Sequence, residues 1–188
     1  MRKGLLVVVA VLAVPAIAVG QGTTREISTG DDFFEPENVS AEFGAGSFHW
    51  AWATDNQHNI RQDDRLFYSG AAVENGEFAV TPSAGSFHYY CELHGFDGGG
   101  MDDRLKVKPV ASVSGNKATL TWASAETNSG TQFDVRQKTG SSKPRLVEEK
   151  TRAFDGTFKL KPGANTFQVR SRRAKAASDW SPKLKLQP

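Results

Sequence analysis

The sequence predicts an all-β protein, two β-sandwiches in series. Three observations predict it. Short runs alternate large apolar residues with small or polar ones, as half-buried strands do. Clusters of Gly, Pro, Asn and Asp separate those runs at sandwich-like intervals. No segment carries an apolar stripe of helical period, and residues 63–72 have room for one helical turn at most.

Taken in order, residues 1–20 read as an export leader. Arg2 and Lys3 form a positive start, residues 5–14 are apolar, and Ala16, Ala18 and Gly20 suit cleavage. The run is too short to span a bilayer comfortably, so no membrane span is expected after cleavage. In the first half, Phe48-His49-Trp50-Ala51-Trp52 is the clearest strand, with others expected at residues 38–43, 77–80, 86–91 and 104–107. Gly44-Ala45-Gly46 and Pro82-Ser83-Ala84-Gly85 mark turns between them. In the second half, strands are expected at residues 118–122, 133–136 and 167–170.

The net charge of +2 conceals a split. Residues 21–109 hold fifteen Asp/Glu and six Lys/Arg, a net −9, whereas residues 110–188 hold six and fifteen, a net +9. That reversal places a domain boundary near Pro109, giving units at 21–109 and 110–188.

Cys91 is the only cysteine, so no internal disulfide can form. An exported lone thiol needs protection from oxidation. His94 and Met101 follow it closely, in the pattern Cys-x2-His-x6-Met. Thiol, imidazole and thioether together are soft donors that suit copper. Gly95 and Gly98-Gly99-Gly100 let the chain fold back around one point. A second imidazole must come from elsewhere. His49 lies within the aromatic strand, and His88, three residues before Cys91, faces the other side of its strand. His58 follows the turn-like Asp55-Asn56-Gln57 and can close the site. The bland alternative is a buried structural cysteine beside an unrelated histidine. A redox-sensing thiol would lack a resolving cysteine.

On these residues residues 22–109 resemble a plastocyanin/azurin-type cupredoxin. The resemblance rests on Asp32-Phe33-Phe34-Glu35-Pro36 with Val39, on His58-Asn59-Ile60, and on the run from Phe87 through Cys91, Glu92, Leu93, His94 and Gly95 to Gly100-Met101. It implies a Greek-key β-sandwich holding one type 1 (blue) copper. His58, Cys91 and His94 would be equatorial ligands and Met101 the axial one, across a spacing longer than in the best-known members. Asn59 would tune the thiolate by a nearby hydrogen bond. Leu93, Gly95 and Phe96 would form a partner patch around His94, and Tyr90 would lie on a second electron path.

Residues 110–188 resemble a fibronectin type III domain through residues 118–122, Phe133-Asp134-Val135, Leu160-Lys161-Pro162-Gly163, residues 167–170 and Trp180-Ser181-Pro182. The corner tyrosine of that family is missing. Trp122 and Trp180 are expected in the core.

Four protein ligands leave little room for substrate. Once His58 and His94 are used, only His49 and His88 remain, too few for a second copper cluster. The expectation is therefore not an enzyme but a carrier of single electrons between partner proteins, in a secreted, periplasmic or envelope-associated setting. Copper storage or delivery is one alternative, and an adhesion module with incidental copper is another. Asp63, Asp64, Asp97, Asp102 and Asp103 could steer a basic redox partner. Arg170, Arg172, Arg173 and Lys175 could bind an anionic envelope polymer, dock on the acidic copper domain, or simply form a solvated edge. Export disfavours nucleic acid.

Overall fold

In the computed structural model the described residues are 23–96, 99–127, 130 and 132–188. The leader and Asp97 lie outside them. Every regular element among the described residues is a β-strand, and no helix there is long and apolar enough to cross a membrane.

The first half contributes β1 (Arg25–Thr29), β2 (Phe34–Glu35), β3 (Ser40–Glu42), β4 (Phe48–His58), β5 (Arg61–Gln62), β6 (Val73–Val80), β7 (Gly85–Phe96) and β8 (Gly99–Lys108). They form two four-stranded sheets, ordered β2-β1-β4-β6 and β3-β8-β7-β5. The pairs β1–β4 and β3–β8 are parallel; the other pairings are antiparallel. Between the sheets, Trp50 and Tyr89 meet edge to face with centroids 5.2 Å apart, flanked by Phe34, Phe67 and Phe87. Alternation explains the choice: Phe48, Trp50 and Trp52 are buried, while Ala51 and Ala53 are exposed.

The second half contributes β9 (Val110–Ser114), β10 (Lys117–Thr121), β11 (Gln132–Thr139), β12 (Arg145–Thr151), β13 (Asp155–Lys159), β14 (Asn165–Arg173), β15 (Ala176–Ala177) and β16 (Leu184–Leu186). The sheet β13-β10-β9 faces the sheet β12-β11-β14-β15, to which β16 adds through β14. Trp122, Phe133, Phe158 and Phe167 fill the space between them.

Residues 63–72 form no helical turn. The Gln62 side-chain carbonyl accepts the N–H groups of Asp64 (3.0 Å) and Leu66 (2.9 Å), which bends the chain into an irregular turn. One expectation is corrected here: Trp180 is not in the core. It is half-buried outside the sheet, between the guanidinium groups of Arg136 (4.2 Å from its centroid) and Arg170 (4.8 Å). An aromatic face between two cations gains attraction there that an apolar core would not offer.

The two sandwiches meet along the start of β7. Ser86 and Asp179 exchange backbone hydrogen bonds at 3.1 and 2.9 Å, and Arg104 donates to the Asp179 carboxylate at 2.8 Å. Ala84 is buried in the second core; its N–H donates to Trp122 and its carbonyl accepts the Ser171 hydroxyl.

Candidate metal centre

Cys91 and His94 are three residues apart, so on a regular strand their side chains would diverge. A bulge prevents this. Tyr90 pairs with Asp102 and Gly95 pairs with Gly100, which leaves the four residues Cys91 to His94 opposite Met101 alone. A matching bulge positions His58. Ala53 pairs with Asn75 and His58 with Val73, so the four residues 54 to 57 face Glu74 alone.

The result is a tight convergence. His94 Nδ1 lies 3.1 Å from His58 Nδ1 and 3.7 Å from the Cys91 sulfur, and all three donor atoms fall within 4.8 Å of one another. Cys91 and His58 are fully buried and His94 is half-buried. Two imidazole lone pairs at this distance repel unless a cation or proton lies between them. A proton can join the two nitrogens, but it leaves the thiol outside the arrangement. Nitrogen at about 2.0 Å and sulfur at about 2.3 Å from one trigonal centre would stand about 3.7 Å apart, the separation seen for His94 and Cys91.

His58 supports the same fit. Burial, with the His94 charge second, pushes its pKa down and favours the neutral imidazole that a metal needs. With Nδ1 facing the cluster, its proton belongs on Nε2. That atom is buried without a hydrogen-bond partner, its nearest carboxylate being Asp31 at 3.9 Å. Met101 is buried in the same core as Cys91 and stands opposite the ligand bulge.

Asn59 hydrogen-bonds next to the thiol. Its amide oxygen accepts the Glu92 N–H at 2.9 Å, and its NH₂ donates to Gly70 O and the Glu92 carboxylate. Its described bonds therefore reach the backbone beside the thiol, not the sulfur. The bulge strips the Glu92 N–H of a ladder partner, and Asn59 supplies one. Sequence reasoning missed Glu92 itself, which also accepts Arg61, Arg65 and the Tyr68 hydroxyl. Burial opposes its charge, but the Asn59, Tyr68 and Arg61 donors outweigh that and hold its pKa below the usual glutamate value. Two arginines in the segment after His58 were the available signal.

Around the site, Leu93 and Phe96 are exposed, Gly95 is half-buried, and the Phe96 ring covers Gly99. Tyr90 lies half-buried with the Arg61 guanidinium over its ring. His49 binds Glu26 on the outer face of β4. Several acids named as steering charges are otherwise engaged. Asp103 is buried, accepting Asn38 N–H and the Tyr89 hydroxyl, so it contributes no free surface charge. Asp63 and Asp102 each sit 2.7 Å from a ring nitrogen of His88.

The fold and cluster define an all-β protein of two sandwiches with a buried His/Cys/His set at one end. No family model matches the chain, and no curated protein matches it. Among solved structures, the FN1–FN3 domains of chicken CNTN1 are similar at 9% identity and TM-score 0.33, covering 88% of this chain and 66% of that one. Domains A168–A170 from titin are similar at 15% identity and TM-score 0.35, covering 80% and 61%. The chain thus spans less than two thirds of either. These neighbours are fibronectin type III and immunoglobulin-like β-sandwich domains.

Proposed function

We propose that the first sandwich is a cupredoxin-type domain binding one copper ion through His58, Cys91 and His94, with Met101 as the weaker fourth ligand, and that the protein carries single electrons between partners outside the cytoplasm. The observation that carries this reading is the meeting of two Nδ1 atoms and one sulfur on two facing bulges. Copper, when bound, supplies reversible one-electron chemistry. The chain's own part is to hold the donors still. Both bulges are anchored in sheets, and Asn59 and Glu92 lock them together, so little rearrangement accompanies a change of charge. Burial of Cys91 keeps water from the thiolate, while half-buried His94, between exposed Leu93 and Phe96, offers the nearest approach for a partner. A second reading, an envelope adhesion module in which copper is incidental, fits the β-sandwich build of the second half.

Cu(II) added to the full chain should give an intense visible thiolate-to-copper band that bleaches on reduction and returns on oxidation. Cys91→Ser should abolish it. Absence of the band in the unsubstituted chain would sink the copper reading and leave the adhesion module standing.

A further inference from the structure

We infer that the second sandwich carries a separate oxyanion site, a pocket of about 360 Å³ lined by Gln137, Thr139, Ser142, Lys143, Arg145 and Lys161, that takes a multiply charged phosphoryl or sulfuryl group. This goes beyond the copper reading and does not depend on it. Three cations from two separate segments line one small concavity, and no acid lines it. Among the described residues none of the three makes an ion pair or a side-chain hydrogen bond. The contrast with the sequence-derived basic run is direct, because Arg170 and Arg172 both spend their charge on the buried Asp134 carboxylate. Charge is thus neutralised at Arg170 and Arg172 of β14, whereas the three cations of the pocket keep theirs.

The pocket is built rather than accidental. Asn165, fully buried, accepts the Lys161 N–H at 3.2 Å and donates to the Lys161 carbonyl at 2.8 Å, fixing that residue's backbone. The same Asn165 oxygen accepts Gln137 Nε2 at 3.0 Å, tying Lys161 to the adjoining strand β11. On the other wall, the Ser142 hydroxyl accepts the Thr139 N–H at 3.1 Å and the Ser142 N–H donates to the Thr139 carbonyl, closing the hairpin that presents Lys143 and Arg145. Like charges held together by fixed backbone repel one another, and an anion between them relieves that repulsion. Arg145 offers a planar fork to two oxygens, the lysines offer point charges, and the Ser142 hydroxyl, which accepts the Thr139 N–H, keeps its own proton to donate.

The test is calorimetric titration of the full chain with orthophosphate, pyrophosphate and long-chain polyphosphate at physiological salt. Pyrophosphate or polyphosphate should bind. Lys161→Ala and Lys143→Ala should each weaken that binding about tenfold, the size of one lost charge-assisted contact. Lys175→Ala removes the same charge from an exposed turn elsewhere and should leave affinity within about twofold, since a distant surface charge is screened. Binding of pyrophosphate assigns the site to a free ligand, and binding of polyphosphate alone, still sensitive to Lys161, assigns it to a polymer-borne group. If nothing binds, or if Lys175→Ala weakens binding as much as Lys161→Ala, the inference is overturned.

Discussion

Asp134 is buried on β11 yet keeps its charge, because the Lys150 N–H and the Arg170 and Arg172 guanidinium groups surround it. Burial would raise its pKa, but these donors outweigh burial and hold it below the ordinary aspartate value of 3.8. Its stabilisation is therefore complete above about pH 4 and is lost as pH falls through the depressed folded value. His88 carries the opposite sign. Burial lowers its pKa, yet the Asp102 and Asp63 carboxylates win and raise it above 6.5. That contribution is full below pH 6.5 and fades as pH rises through the folded value. Denaturant midpoints should thus fall on both sides of a mildly acidic plateau, which the lowered pKa of His58 narrows from the acid side, and Asp134→Asn should lower the plateau by roughly 3–5 kcal/mol. At this scale the sequence was legible where the donors are contiguous. Cys91 and His94 share one motif; Asp55-Asn56-Gln57 before His58, read as turn-like, is instead the bulged end of β4. Asp134, His88 and Glu92 were not legible, since their partners arrive from strands that only tertiary pairing brings near.

The strands themselves were readable from alternation, but their ends were not. Residues 86–91 were expected as a strand and then a glycine-rich loop; instead β7 runs on to Phe96 and β8 starts at Gly99. Alternation fails in the bulge, which is why its pattern hid the continuation. Glycine matters here for closeness rather than freedom alone. A Cβ on Gly95 would collide with the Met101 carbonyl oxygen, a backbone atom of the facing strand β8. Gly95→Ala should therefore part the two strands, cost about 1–3 kcal/mol in denaturant unfolding, and weaken the copper band. An unchanged band with unchanged stability would show that the hairpin gives way at no cost.

At the scale of the molecule, the charge reversal at Pro109 fell close to the junction of β8 and β9, but nothing in the sequence foretold how the halves join. Ala84 belongs by sequence to the first half and by packing to the second core. The contact is made by backbone pairing, small buried hydroxyls and the Arg104–Asp179 ion pair, which leave no periodic trace. Because one strand serves both bodies, they should unfold together: the copper band and the hydrogen-exchange protection of the β14 amides, from opposite halves, should be lost at the same denaturant concentration. Separate midpoints would show the junction to be weak. β7 also sets a polarity. Ser86 touches the second sandwich and Cys91 holds the proposed copper, about 17 Å further along the same strand. A chain tethered to an anionic surface by its basic half would be held by a different sandwich from the one that carries His94, so anchorage and electron exchange would fall to separate bodies and would not compete.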